Sequence, residues 1–547
     1  LSVSVVRFTF RAPAHYDAAG MSHGLPPRAT ALLLALVLAL LLLRLGSVPL
    51  LGPDEPRYAR VAVEMQRASE WVTPTLQGEP WLEKPPLYYW LAGAAFAVLG
   101  ETEAAARLPS VLALLLLTGA TALFGARLYG SAAGLHAGFV AGTALLPFAY
   151  GRAASMDMLL AATTTLAIGL TALRLLGISG RTACVAAAAA AGLATLAKGP
   201  LGLLLPGLVV GGYLLSTREW RRLRELLAPA ALAAFALIAL PWYVAILHDQ
   251  GRHFVDVFIL NHNLQRFSST IHNHPGPFWY YLPLLLLGFF PWSGLAIPGL
   301  VRSEPRESRA DRFVLLWLLL PLVFLSLAAS KLPGYVLPCV PPLAILMGRA
   351  ADRLIREGPT PERRLSGRAV ALVGLVLGAL LAAAPFALFM MQEPLWRSAV
   401  PLGVWAVVVT FLFSRRVGVD PAGGLRLLRV GAAGLLVLVA LAAPPILARR
   451  ESGRALFLPA MGREVLVWGA WRTAWMAGYF YNDGRVREVA GASDVLTAVD
   501  AGPTLVLTGP GEKRRLEAMG GVEVRVLAEG PRQNALLRVQ RRAGSAS

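Results

Sequence analysis

The sequence predicts an all-α polytopic membrane protein with about thirteen crossings and a small C-terminal α/β unit. Three observations carry that expectation. Hydrophobic residues fill 56% of the 547 positions and charged residues only 15%, against about 25% charged in a soluble domain. The mean hydropathy is +0.58, and the apolar residues are gathered into runs long enough to cross a bilayer as helices, about 20 residues each. Beyond Arg449 the runs shorten to strand length and charged residues return.

Taken in order, the apolar runs are 29–50, 107–128, 132–150, 157–176, 182–197, 200–216, 230–248, 278–300, 313–329, 334–350, 369–391, 397–414 and 430–448. The fifth and sixth are short and separated by only Lys198-Gly199. Residues 1–28 precede them as an inside N-terminal segment. Leu1 is not an ordinary start, and Met21 lies just before the first run, so residues 1–20 are expected to be an artefact of the gene boundary. They have no long apolar core of the kind a cleavable signal peptide needs. The transmembrane unit is thus expected over 29–448 and the α/β unit over 449–547, with apolar stretches Glu464–Val467 and Thr504–Leu507, a helix near Lys513–Met519 and a strand near Val522–Leu527.

Charge gives the orientation. Basic residues crowd alternate loops, with Arg218, Arg221, Arg222 and Arg224 in one and Arg349, Arg353, Arg356, Arg363, Arg364 and Arg368 in another. Lys and Arg concentrate on the cytoplasmic side, so the N-terminus is expected inside and, after thirteen crossings, the C-terminus outside. The net charge of +19 therefore reflects topology, and no nucleic-acid partner is expected. Cys184 and Cys339 lie far apart in apolar runs and form neither a metal motif nor an expected disulfide.

Two outer segments, 51–106 and 249–277, are too long to be plain connections. In the first, Tyr58, Val61, Ala62, Met65 and Ala68 fall at helical spacing opposite Arg60, Glu64 and Arg67, which predicts an interfacial helix. Pro86–Leu99 is half-apolar and is expected to lie at the surface.

The unusual polar residues all fall on the outer side. Asp54 and Glu55 follow the first crossing, Glu83 and Lys84 lie in WLEKPPLYYW, and Asp157 opens the fourth crossing. Lys198 sits in LAKGP; Asn261, His262, Gln265 and Arg266 in the second long segment; Lys331 and Tyr335 in SKLPGYVLP. Ionisable groups at membrane depth are costly and mark a site. Lys84, Lys198, Arg266 and Lys331 suit a phosphate, and Asp54 and Asp157 can position or deprotonate a nucleophile. Tyr88, Tyr89, Trp90, Trp279, Tyr280 and Tyr281 can stack on sugar or line a lipid groove.

Plainer readings compete. Asp54 can be the N-cap of the interfacial helix, ahead of Pro56. The aromatics can be interface anchors, and Lys198 and Lys331 can be loop residues reaching for water. His262, His272 and His274 show no recognised metal spacing, which favours a structural role over ligation.

The run DEPRYARVAVEMQRASEWVTPTLQGEPWLEKPPLYYWL resembles the first periplasmic loop of the GT-C membrane glycosyltransferases, in the branch of the 4-amino-4-deoxy-L-arabinose lipid A transferases and family-39-type proteins. NHNLQRFSS, GPFWYYLP and SKLPGYVLP are similar to later signatures of that branch, in the same order. The resemblance implies a GT-C fold and a donor sugar carried on a polyprenyl phosphate such as undecaprenyl phosphate, with transfer on the periplasmic side of the bacterial inner membrane. It implies acidic positions at Asp54 and Asp157, with Glu55 beside the first. It also implies a lipid-phosphate pocket at Lys84, Arg266, Lys198 and Tyr335, to which Lys331, Arg57 and Tyr58 are added. A divalent metal, zinc, would sit at Glu83 and His262; no cofactor is otherwise required.

The expected function is therefore transfer of a sugar, with inversion, from polyprenyl phosphate to lipid A or a related envelope glycolipid, by a monomer surrounded by membrane lipid. The alternative with the same donor is protein O-mannosyl transfer to Ser or Thr. A lipid or sugar transporter is the rival outside enzymes, but it would place its ionisable groups at the midplane within inverted repeats, and the sequence contains no such repeat.

Overall fold

A proline in the first turn, where its missing N–H costs nothing, starts α1 (Pro27–Leu42). The computed structural model describes residues 24–265, 275–357, 361–460 and 462–542. The outer segment after α1 folds as α2 (Asp54–Ala68), a short hairpin of β1 (Thr75–Leu76) and β2 (Glu79–Pro80), and α3 (Leu87–Leu99). The expected interfacial helix is α2, and the half-apolar stretch Pro86–Leu99 forms α3. α3 buries one face, with Tyr88, Tyr89, Ala92 and Phe96, and exposes the other, with Leu91, Val98 and Leu99.

Next come α4 (Glu103–Tyr129), α5 (Ser131–Thr143), α6 (Leu145–Gly151), α7 (Met156–Leu175), α8 (Thr182–Lys198) and α9 (Leu201–Thr217). α10 (Leu223–Leu226) is one turn long, and α11 is the long helix Pro229–Phe254. Small residues bring α4 and α5 into near backbone contact. A Cβ added to Gly134 would lie 2.4 Å from the Ala122 carbonyl, and one on Gly138 2.7 Å from the Ala122 methyl.

Among the described residues, 9 helices are long and apolar enough to cross a membrane, or 11 if two bent pairs each count as one crossing. Those pairs are α5 with α6, bent by 60°, and Phe278–Gly288 with Ser293–Val301, bent by 119°. α8 and α9 have 17 residues each. At 1.5 Å per residue they are shorter than the roughly 30 Å hydrocarbon core.

The second long outer segment departs from expectation. α11 runs past residue 248 to Phe254, breaks at Gly251 (φ 52°), and is followed by a wider helical stretch over Val255–Gln265. Aromatic packing explains the extension. Phe254 and Phe258 stack at 5.0 Å and close a buried cluster with Trp242, Ile246, Leu82 and Leu196.

The chain after Glu451 builds a mixed five-stranded sheet in the order β4-β3-β5-β7-β6. Its strands are β3 (Val465–Trp468), β4 (Val486–Glu488), β5 (Thr504–Thr508), β6 (Val522–Glu529) and β7 (Ala535–Arg541). β3 pairs in parallel with β4 and β5; β7 runs antiparallel to β5 and β6. Successive side chains of β3 point to opposite faces. Val465 and Val467 join the core shared with the membrane helices, while Leu466 packs with Val495, Val499 and Leu516 on the other side.

Candidate active site

Asp54 is the first residue of α2 and pairs with Arg57 one turn later. It is not a cap: Pro53 occupies that position without a side-chain bond. Among the described residues no backbone N–H donates to the Asp54 carboxylate. Arg57 is buried, donates to the Pro53 carbonyl at 3.0 Å and lies 5.2 Å over the Trp81 ring. The charge of Glu83 also acts on Arg57, so the start of α2 and the EKPP turn face each other. Lys84 donates to the Glu83 carbonyl at 3.1 Å. Asp54 thus keeps half its side chain open to solvent, beside a cation that is held from three sides.

A second group forms where three helix ends meet. Asp157, in the first turn of α7, accepts from the Ser155 hydroxyl at 3.1 Å and pairs with Lys198, the last residue of α8. The Lys198 ammonium lies 4.4 Å from the centre of the Tyr335 ring. Gly334 admits no side chain here: an added Cβ would stand 2.5 Å from Asp157 Oδ2 and 2.6 Å from Tyr150. Lys331 is buried and donates to the Ala328 carbonyl at 2.5 Å. Neither lysine is a loop residue reaching for water. Asp157, Lys198 and Tyr335 are brought into direct contact from sequence separations of 41 residues and more.

Glu55 and Arg107 tie the two groups together. Arg107 pairs with Glu55 at 2.7 Å and donates to the Leu45, Val48 and Pro49 carbonyls. The Glu55 oxygens also accept from Leu51 N and Ala154 N, both at 2.7 Å. One carboxylate therefore joins the exit of α1, the start of α2, α4 and the turn before α7.

The segment between β3 and β4 leans on α2. Asp483 pairs with Arg60 at 2.5 Å and with Arg67 at 2.7 Å, and Gln77 donates to the Gly484 and Val486 carbonyls. On the same helix Glu64 accepts from Arg60 at 2.6 Å and from the Gln77 and Gly78 amides. Burial pushes the Glu64 carboxyl upward, but Arg60 and the two amides outweigh it and hold it below its ordinary value. Asp483 is likewise held low by Arg60 and Arg67 against its burial. A lowered carboxylate binds fewer protons folded than unfolded, so its contribution is complete above the ordinary carboxylate range and lost as pH falls through the lowered value. Hydrogen-exchange protection factors, corrected for the intrinsic pH dependence of amide exchange, should therefore be unchanged between pH 7 and 5.5 in the 75–80 hairpin and the 478–488 segment and fall below about pH 4. Constant protection down to pH 3 would count against these contacts.

Several expectations need correction. Glu55, placed with the catalytic carboxylates, is a buried brace whose two oxygens are engaged by protein donors. Tyr58, placed with the donor-binding groups, is buried edge-on against Tyr88 and Tyr89, so none of the three presents a face to sugar or lipid. Burial, and then the Asp54 charge, keep the Tyr58 phenol well above its ordinary value and therefore neutral. Tyr281 is buried too. Arg266, His272 and His274 lie outside the described residues; His262 falls in the helical stretch Val255–Gln265, its side chain outside the description.

Of the groups expected to hold a metal, Glu83 is described and its charge acts on Arg57, Tyr58 and Tyr89, while the His262 side chain lies outside the description. Among the described residues no group of three His, Cys, Asp or Glu comes together. Sequence reasoning missed Arg107 and Trp81. An arginine at the head of the apolar run 107–128, where the only other charge is Arg127 at its far end, was the available signal for Arg107.

A family model described as dolichyl-phosphate-mannose-protein mannosyltransferase matches residues 83–244. The undecaprenyl phosphate-α-4-amino-4-deoxy-L-arabinose arabinosyl transferase of Pseudomonas aeruginosa (strain UCBPP-PA14) is 35% identical over 375 residues, 65% of this chain and 66% of that protein. The protein of that name from Edwardsiella ictaluri is 32% identical over 406 residues, 69% of this chain and 72% of its own length. With the first of these the match spans just under two thirds of the relative's length. Among solved structures, ArnT from Cupriavidus metallidurans bound to undecaprenyl phosphate superimposes with a TM-score of 0.75 at 24% identity, covering 94% of this chain and 98% of that one. An oligosaccharyltransferase from Archaeoglobus fulgidus gives 0.50 at 13% identity, covering 88% and 69%. At these identities the structural likeness is one of fold.

Proposed function

Because the chain belongs to the aminoarabinose-transferase family of membrane glycosyltransferases, we propose that it transfers a sugar from a polyprenyl phosphate to lipid A at the outer face of the bacterial inner membrane. The observation that carries this reading is a half-open carboxylate, Asp54, whose neighbour Glu55 is bonded to the turn before α7, where Asp157, Lys198 and Tyr335 meet. An acceptor oxygen attacks the anomeric carbon, the bond from that carbon to the phosphate oxygen breaks, and its electron pair leaves with the polyprenyl phosphate. Lys198, Lys331 and Lys84 stabilise the leaving charge, which fixed cations do best where water is partly excluded. Asp157 holds Lys198 toward Tyr335. Asp54 takes the proton of a hydroxyl acceptor, or orients Arg57 toward a phosphate acceptor that is already an anion. A single displacement inverts the anomeric centre.

In this reading the two bent pairs and the two 17-residue helices are crossings, which brings the total to thirteen, with the N-terminus inside. Residues 29–448 form the catalytic membrane unit of a monomer and 449–547 an outer α/β unit. Reporter fusions after Arg222 and Arg364 should be cytoplasmic and a fusion at Ser547 exported. A cytoplasmic C-terminus would overturn that path.

The match to the mannosyltransferase model favours, as a second reading, transfer from the same class of donor to protein hydroxyls. Mass spectrometry of lipid A and of envelope glycoproteins, from cells with and without the gene, separates the two. Loss of a sugar from lipid A is expected, and loss from protein alone would replace the first reading by the second. Lys84→Ala should weaken binding of the lipid-linked donor by roughly ten- to a hundredfold, the value of one charge-assisted phosphate contact of about 1.5–3 kcal/mol. Unchanged donor affinity in that variant would move the phosphate away from Lys84.

A further inference from the structure

At the end of the helices opposite the candidate site, an apolar trough of about 420 Å³ opens between α7, α8, α9 and α11. α8 carries Lys198 at its site end and Thr182 at its far end, about 25 Å away at 1.5 Å per residue. The floor is made of small residues, among them Cys184, Ala187, Ala191 and Gly207. A Cβ added at Gly207 or Gly211 would meet nothing within 4 Å, so the floor is open on that side. Leu203, Leu227 and Leu232 line the trough and are about half exposed, which turns it toward lipid.

The segment 220–227 roofs one end. Trp220, Leu223 and Leu227 recur at helical spacing and face the trough, while Arg221 and Arg224 fall between them and are exposed. The segment is fastened down: Arg222 donates to the Leu175 carbonyl at the end of α7, and Glu225 pairs with Arg174. Its acids are thereby used up, since Glu219 pairs with Arg309 at 2.7 Å and lies 3.5 Å from Arg222. Among the described residues Arg218, Arg221 and Arg224 meet no carboxylate.

An apolar slot under a rigid rim of uncompensated arginines, with a tryptophan at the boundary, has the chemistry of one ligand class. We infer that it binds an anionic phospholipid, one acyl chain in the trough and the headgroup phosphate at Arg221 and Arg224. The site is separate from the donor site and does not depend on the proposed function.

The test uses the purified full-length protein, stripped of lipid in detergent and titrated by native mass spectrometry with phosphatidylglycerol or with phosphatidylcholine of the same chains. Phosphatidylglycerol should bind more tightly. Each arginine is expected to carry about a fivefold share, so R221Q/R224Q should lose roughly twenty-five-fold for phosphatidylglycerol and much less for phosphatidylcholine, whose choline offsets its phosphate. Gly207→Leu, which projects into open space and suits a helix, should reduce retention of both lipids. Equal affinity for the two lipids, or an unchanged double variant, would overturn the headgroup site. A Gly207→Leu protein that binds phosphatidylglycerol like the wild type would show attraction by surface charge alone and overturn the trough.

Discussion

Asp54→Asn is expected to lose at least about a hundredfold in sugar transfer while the protein stays folded and binds its lipid-linked donor. Asn has the size of Asp and leaves the start of α2 alone, because Asp54 caps nothing and Pro53 holds the cap position. Arg57 keeps its bond to the Pro53 carbonyl and its place over Trp81. What disappears is one negative charge beside a buried guanidinium. With a hydroxyl acceptor the loss is that of a general base, typically a hundred- to ten-thousandfold. With a phosphate acceptor Arg57 is released from its partner, and misplacement of an orienting group costs about a hundredfold. Transfer rate, donor affinity and melting temperature measured on one preparation distinguish these effects from unfolding. A stable variant with full turnover would remove Asp54 from the chemistry and leave Asp157 as the remaining carboxylate of the site.

The apolar runs reappear as helices because twenty apolar residues have one solution in lipid, a helix that bonds its own backbone. The α2 pattern was equally readable: Val61, Ala62 and Met65 are buried where the spacing put them. The outer ends of helices were harder, because contacts between distant segments decide them. Nothing near Phe254 in the sequence announces that it will stack on Phe258 over Leu82 and Leu196, and that packing carries α11 beyond its apolar run. The candidate site shows the same division. Residue type alone singled out Asp54, Asp157, Lys198 and Tyr335, since charges beside apolar runs are conspicuous. Their pairing, and the need for Gly334 to leave room for Asp157, exist only once three helix ends converge. Residue type also misled. Glu55 stands next to Asp54 and is as acidic, yet the turn of the helix sends one carboxylate toward solvent and the other into the protein.

That opposition makes Arg107→Met the most destabilising single change expected here. Arg107 is 1% exposed and Glu55 7%, so neither charge has water to fall back on. Replacing one member of a buried pair leaves the other uncompensated, at a cost of about 3–5 kcal/mol. The variant also releases the Leu45, Val48 and Pro49 carbonyls that Arg107 gathers at the exit of α1. Its melting temperature and yield of folded protein should fall sharply, with activity following the folded fraction. Glu55→Gln should be milder in stability, because an amide oxygen can still accept from Ala154 N, but it too weakens the pair with Arg107. Removing both together, as Glu55→Leu with Arg107→Met, should cost less than the two single changes added, since neither charge is then left alone. A purely catalytic Glu55 predicts the reverse: a Glu55→Gln protein as stable as wild type with abolished turnover, and an Arg107→Met protein that melts normally. Strict additivity of the double variant would likewise deny the coupling and return Glu55 to the chemistry. The brace reading requires that stability, measured on folded protein in the same detergent, moves first and that turnover per folded molecule falls far less than in Asp54→Asn.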